Sequence, residues 1–315
     1  YGLGVFDALS QGGFDDAGSE SARELALEQD TFGNKSVDVV AIYSSEELTA
    51  ADPAFRAAVE DVVSAIPAGT TTTVLPYYEA DPQQGLVSKD GHAVQVQISL
   101  AGASQDDYLT HYDELAPSLE AQAEGVQTDL AGSFAVYNDV NEITSEDLER
   151  AELISMPIVV LLALLIFGSL VAASMPALVG LVAMVGALAV VRLLTEFTEV
   201  SIFAVNVISL IGIGLAIDYA LFVISRFREE LALLPEDHPD ASAIAIRRTM
   251  ATAGRTVLFS GLTVAAAMSS LLIFPQAFLR SMGYGGVAAV LVAVLAALTV
   301  LPATLRLLGR RVDAG

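Results

Sequence analysis

Long apolar runs fill the second half of this chain, whereas the first half alternates short apolar and polar stretches. About 20 consecutive apolar residues suffice to cross a bilayer as a helix. The pattern therefore predicts an all-α transmembrane bundle over residues 151–308. Its five membrane helices are expected at about 154–173, 177–194, 201–225, 257–274 and 283–305.

Residues 1–150 predict a separate α+β domain. Residues 1–33 open with a Gly-rich, acidic entry segment, and Ser19 or Ser21 is expected to cap a short helix that ends near Phe32. After it, β-branched or alternating stretches predict strands, and Asp52-Pro53 and Ser104 are typical helix starts. The second of these helices is expected to end near residue 123, and an acidic helix over 134–150 leads into the membrane. The strands are expected at 37–43, 70–78, 93–100 and 126–130. Two helices alternating with about four strands are typical of a split βαβ, ferredoxin-like fold.

Charge separates the same two halves. Residues 1–150 contain 28 Asp/Glu and 5 Lys/Arg, whereas residues 151–315 contain 10 of each. The net charge of −23 therefore belongs to the first part of the chain. An acidic, solvated domain repels nucleic acid, so no nucleic-acid partner is expected. Cysteine is absent and the three His have no ligand spacing, so we predict no disulfide, metal site or cofactor.

Arginine placement predicts the orientation in the membrane. On one side of the predicted helices only Arg192 and Arg280 lie near the membrane, whereas eight arginines lie near it on the other side. Connections rich in positive charge usually stay in the cytoplasm. We therefore expect a multi-pass protein of the inner (cytoplasmic) membrane, with residues 1–150 outside the cytoplasm and a tail over 309–315 inside it. A cytoplasmic loop over 227–254 is expected to include a short helix lying on the membrane. The arginines of the cytoplasmic side are Arg226, Arg228, Arg247, Arg248, Arg255, Arg306, Arg310 and Arg311.

The third apolar run contains a single ionisable acid, Asp218, followed directly by Tyr219. A carboxylate near the middle of a membrane helix costs roughly 2.5–3.5 kcal/mol on insertion scales, and such acids usually face a protein interior or a wet cavity. We therefore predict a proton-carrying role for Asp218, and the adjacent Tyr219 supplies a hydroxyl that can hydrogen-bond across helices. The plainer alternative is an acid that only hydrogen-bonds a neighbouring helix.

Small and polar residues accompany this acid. Gly212 and Gly214 remove side-chain bulk just before it, and Phe222 follows one turn later, so a neighbouring helix is expected to pack there. The fourth run carries Ser260, with Thr263 and Ser270 on the same helical face. These hydroxyls are either partners of the Asp218 region or bonded to their own backbone.

The energy source follows from what the sequence lacks. No G-x-x-x-x-G-K-[ST] motif occurs, so ATP is not the expected fuel. A proton crossing the membrane potential supplies about 2.3 kcal/mol per 100 mV. A lone membrane acid and an external domain without a catalytic constellation favour an ion-driven transporter over an enzyme.

Three motifs carry a family resemblance. They are GIGLAIDYALFVISRFREEL (Gly212–Leu231), TMATAGRTVLFSG (Thr249–Gly261) and IFPQAFLRSMGYG (Ile273–Gly285). With the opening YGLGVFDALSQGGFDD, they strongly resemble the MMPL family of the resistance-nodulation-division (RND) superfamily. The resemblance implies efflux: proton-motive-force-driven export of lipids, glycolipids or other hydrophobic molecules, mainly in actinobacteria.

The resemblance also implies a site. Family members have two halves, each with six membrane helices and an external porter domain, and an Asp-Tyr pair from each half forms the proton relay. The pair maps onto Asp218 and Tyr219, and Ser260 resembles a serine lining the relay. Tyr1 would follow the family's first helix, Gly315 would follow its sixth, and no second Asp-Tyr pair occurs. We therefore expect half a relay, completed by a missing second half or by another copy.

Two other functions stay open at this point. One is a protein-export auxiliary of the SecD/SecF kind, which is also proton-driven. The other is a non-transporting, sterol-sensing-like membrane scaffold, for which neutralising Asp218 would change no proton flux.

Overall fold

The computed structural model describes residues 5, 8–10, 12–13, 16, 18–32, 36–235 and 238–314; the other positions, including part of the predicted entry segment, lie outside the described residues. The chain folds into two compact units, Ala17–Asp147 and Leu148–Gly315, the second of which includes the described part of Tyr1–Asp16. The predicted division at residue 150 lies close to this boundary. The first residues, however, group with the helical unit and not with the α+β unit.

The α+β unit contains one antiparallel sheet. After helix α1 (Glu20–Phe32), the order is β1 (Val39–Ser44), α2 (Pro53–Ala65), β2 (Thr71–Pro76), β3 (Ala93–Leu100), α3 (Gln105–Leu115) and β4 (Gln127–Ala131). The strands are arranged β2-β3-β1-β4, with every neighbouring pair antiparallel. This βαββαβ connection confirms the predicted ferredoxin-like fold.

Alternation along the strands produces the core of this unit. In β3, Val94, Val96 and Ile98 are fully buried, whereas the glutamines between them are partly exposed. The helices place Phe55 and Leu109 in the same cluster. A sheet with one buried face is the arrangement that a period of two residues predicts.

Helix α3 begins as predicted and ends earlier. The Ser104 hydroxyl accepts a hydrogen bond from the Asp107 amide at 3.2 Å, while the Asp107 carboxylate accepts one from the Ser104 amide at 3.0 Å. The helix ends at Leu115 and passes into a 3₁₀ turn, not at the expected residue 123. Pro117 explains the difference, because proline has no amide hydrogen and is unfavourable in a helix interior.

The helical unit contains five stretches long and apolar enough to cross a membrane within the described residues. A π-helical turn over Ile208–Gly212 joins α6 to α7, and another over Met250–Gly254 joins α8 to α9. Helix α10 contacts α5, α6, α7 and α9 and forms the centre of the unit. The helices are α4 (Ser133–Phe167), α5 (Leu170–Leu194), α6 (Phe203–Val207), α7 (Ile213–Ala232), α8 (Ala241–Thr249), α9 (Arg255–Ser269), α10 (Ala277–Leu298) and α11 (Val300–Leu308).

The turn between the first two membrane helices lies earlier than predicted. The sequence placed it after residue 173, but α4 ends at Phe167 and α5 starts at Leu170. Gly168 adopts the left-handed conformation at φ 61°, which glycine tolerates best. The Ser169 hydroxyl then caps α5 by accepting from the Ala172 amide, so Pro176 lies inside the helix.

The connection predicted over 227–254 is much shorter. Helix α7 continues to Ala232 and α8 begins at Ala241, so the two helices are separated by only eight residues. The short helix expected within this connection is present as α8, but it is not separate, because α8 runs through its π-helical turn into α9. The fifth predicted run, 283–305, is divided between α10 and α11, and α10 begins six residues earlier, at Ala277.

Candidate functional site

Asp218 and Tyr219 are neighbours on α7 and face different surroundings. Successive helical residues differ in direction by about 100°. The Asp218 side chain is therefore exposed on the surface of the helical unit, while Tyr219 is only 5% exposed. Among the described residues, Asp218 makes no hydrogen bond or ion pair.

Asp218 belongs to an exposed stripe on α7, formed by Gly214, Asp218, Phe222 and Ser225. The expectation that this acid faces a protein interior is therefore not met within this chain. Within the described residues, two other members of the stripe that were predicted to pack against a neighbouring helix are also open to the surroundings. A Cβ added to Gly214 would have no atom within 4 Å, and Phe222 is 49% exposed.

At Gly212, two helices approach each other closely. A Cβ added there would lie 3.1 Å from the Cβ of Ala289 on α10. The contact lies at the end of the π-helical turn, six residues before Asp218. Such π-helical turns are frequent at functional sites, and no residue pattern in the sequence predicted this one.

Tyr219 points into the contact between α7, α9 and α10. A Cβ added to Gly261 would lie 3.6 Å from the Tyr219 hydroxyl oxygen and 2.1 Å from Cγ2 of Val294. Gly261 thus creates the space that Tyr219 faces. The hydroxyl is buried and has no hydrogen-bond partner in the described part of the chain, so it is free to take one.

Ser260 precedes that glycine on α9 and is exposed. Within the described ranges it makes no hydrogen bond with Asp218 or Tyr219. The Thr263 hydroxyl donates to the Phe259 carbonyl at 2.8 Å and the Ser270 hydroxyl to the Ala267 carbonyl at 2.7 Å. These two hydroxyls are therefore hydrogen-bonded to backbone carbonyls of their own helical segment.

Sequence reasoning missed two further residues. Gly261 follows Ser260 in the motif TMATAGRTVLFSG, where only the serine was considered. Glu230 ends the SRFREE segment, and its four-residue spacing from Arg226 was an available signal for an ion pair.

An apolar cavity of about 230 Å³ lies between α4, α5 and α7. Met156, Pro176, Ile213 and Ile217 are among its lining residues, all of which are apolar or glycine. Such a cavity suits a hydrocarbon chain and offers nothing to a charged ligand. Among the described residues, no group of three or more His, Asp or Glu converges to hold a metal ion.

The sequence pattern of the MMPL family matches residues 13–314. The trehalose monomycolate exporter MmpL3 of Mycobacterium tuberculosis is 37% identical over 319 residues, covering 100% of this chain and 33% of the relative. The putative membrane protein SCO6666 of Streptomyces coelicolor is 39% identical, covering 99% and 43%. The mycolic acid-containing lipids exporter MmpL11 of Mycolicibacterium smegmatis is 32% identical, covering 96% and 31%.

Among solved structures, a heavy metal efflux pump shares the fold, with a TM-score of 0.51 at 12% identity. The match covers 86% of this chain and 35% of the pump. The chain spans about a third of the length of MmpL3 and MmpL11. Because the family pattern covers nearly the whole sequence and the membrane-length helices agree with it, the chain is a multi-pass membrane protein that belongs to the MMPL family.

Proposed function

We propose that this chain provides half of a proton-driven exporter of lipids or other hydrophobic compounds. The observation that carries the proposal is the lone acid Asp218 at mid-helix, beside a buried Tyr219 hydroxyl that has no partner among the described residues. Two of the relatives are named as exporters of trehalose monomycolate and of mycolic acid-containing lipids. The apolar cavity beside α7 is consistent with such cargo.

The exposed stripe on α7 is where the other half of the relay would pack. An ionised carboxylate facing hydrocarbon is unfavourable by roughly 2.5–3.5 kcal/mol, so Asp218 needs cover in a working transporter. The relatives are about three times as long as this chain, which is enough for a second set of helices. The cover is a second half or another copy, and it supplies the partner that Asp218 lacks here.

Protonation of Asp218 then acts as the switch. Neutralising the carboxylate removes the charge that opposes close packing in a dry interface. Each proton that crosses in this way supplies about 2.3 kcal/mol per 100 mV of membrane potential. The α+β unit lies outside the cytoplasm in this proposal, supported by the concentration of arginines on the opposite side, and α4 transmits the movement to it.

The family match favours this exporter over the protein-export auxiliary and the sterol-sensing-like scaffold. The test is lipid export by the complete protein carrying Asp218→Asn, which keeps the side-chain shape and removes the titration. Asp240→Asn is the matched control, because Asp240 is exposed in the connection before α8 and makes no capping hydrogen bond.

Export is expected to fall to background in Asp218→Asn at normal expression, and to continue in Asp240→Asn. Normal export by Asp218→Asn would refute the relay assignment.

A further inference from the structure

Glu230 is a buried carboxylate near the end of α7. It is 5% exposed, and it pairs with Arg226 on its own helix and with Arg248 on α8, where Nη1 lies 3.4 Å from Oε2. Its neighbour Glu229 differs, because its side chain is 63% exposed and, among the described residues, pairs only with Arg226, at 2.9 Å. Glu230 is thus the acid of this pair that links two helices.

Helix α7 and the continuous helix formed by α8 and α9 also meet at a second point. Tyr219 on α7 faces Gly261 on α9, and α9 continues α8 without a break. Tyr219 and Glu230 are 11 residues apart, which is about 16 Å along a helix at 1.5 Å per residue. The ion pair and the tyrosine contact therefore fix α7 against α8–α9 at two separate levels.

A π-helical turn joins α8 to α9, between the ion pair and the tyrosine contact. Met250–Gly254 follows Arg248 and precedes Gly261. Such a turn holds one extra residue relative to a regular α-helix. If the turn relaxed, the residues after it would rotate by about 100°, which is the angle of one helical residue. Gly261 would then no longer face the Tyr219 hydroxyl.

We propose that Glu230 is a positioning residue for Tyr219, and this inference rests on the function proposed above. By holding Arg248, the Glu230 carboxylate fixes the start of the π-helical turn. The contact between Gly261 and Tyr219 fixes α9 beyond the turn. The extra residue is retained between these two points, and the space that Tyr219 faces stays open. Removing the ion pair lets α9 rotate and displaces the tyrosine hydroxyl without touching either residue of the relay.

The experiment places 3-fluorotyrosine at position 219 of the complete protein and records its ¹⁹F resonance in a membrane mimetic. Glu230→Gln is expected to shift or split the resonance and to lower lipid export on the order of ten- to a hundredfold, because small misplacements of reacting groups have effects of that size. Glu229→Gln, the matched control, is expected to leave both the resonance and export as in the unsubstituted protein.

A double variant, Glu230→Gln with Arg248→Gln, keeps the test valid if the single variant does not fold. It also removes the arginine that would lose its Glu230 partner, and it still lacks the link between α7 and α8, so its resonance must move as well. A resonance that stays in place in the folded Glu230 variants overturns the positioning role. A moved resonance with unchanged export in both Glu230→Gln and Asp218→Asn supports the positioning role and contradicts the proposed function instead.

Discussion

Glycines of the helical unit differ in what surrounds them. At Gly285 on α10, an added Cβ would lie 2.6 Å from the carbonyl oxygen and 3.0 Å from the Cα of Ala204, which are backbone atoms that cannot turn aside. At Gly214 on α7, an added Cβ would meet no atom within 4 Å. The first glycine is needed for this chain to pack, and the second belongs to the exposed stripe beside Asp218.

Alanine substitution separates these two glycines. Gly285→Ala is expected to lower the free energy of unfolding by about 1–3 kcal/mol, since overpacking forces the backbone to shift. Gly214→Ala is expected to preserve or slightly raise it, because alanine is the better helix former by about 1 kcal/mol. Thermal unfolding of the detergent-solubilised protein measures both. Equal stability of the two variants would contradict the packing described at Gly285.

At the level of the elements, carboxylates in turns and caps shape the α+β unit. The Asp107 carboxylate accepts hydrogen bonds from the Ala103 and Ser104 amides, each at 3.0 Å, and these bonds lower its pKa. Thr49 lowers the pKa of Asp52 in the same way, and Ser88 that of Asp90. The pKa of Asp113 moves in the opposite direction, because burial raises it.

Acid is therefore expected to weaken this unit. A carboxyl group whose pKa is lower in the folded than in the unfolded protein stabilises the fold at pH values above its unfolded pKa. That stability is lost as the pH falls through the folded pKa. Unfolding of the α+β unit should become easier as the pH drops from about 5 towards 2. A combined Asp52→Asn, Asp90→Asn and Asp107→Asn variant should show a flatter dependence in thermal unfolding. An unchanged slope would show that other groups govern the acid response.

The elements themselves were largely predictable, and their ends were not. Period-two alternation and apolar runs reflect burial, so strands β1–β4 and the membrane-length helices follow from the sequence. The turn at Gly168 and the continuity of α8 with α9 depend on single backbone conformations that such patterns do not encode. The direction of Asp218 was missed for a different reason, because exposure depends on which helices are present to cover it.

At the scale of the whole molecule, the stripe on α7 is the surface to test. This chain contains no cysteine, so a single cysteine can be introduced into it, in a complete protein from which any other cysteine has been removed. Phe222→Cys should be protected from a lipid-soluble maleimide in the complete protein, since the proposed second half or second copy would cover it there. Leu307→Cys is the exposed comparison, at a side chain that is 85% exposed on α11. Equal labelling at the two positions would mean that nothing packs on the stripe.

Proton flux through the complete protein in sealed vesicles tests the central claim most directly. A pH-sensitive dye inside the vesicles reports protons that enter when a membrane potential and lipid substrate are supplied. The proton-relay account predicts substrate-dependent flux in the unsubstituted protein and in Asp240→Asn, and none above background in Asp218→Asn. Undiminished flux in Asp218→Asn would contradict the claim that this acid carries the proton.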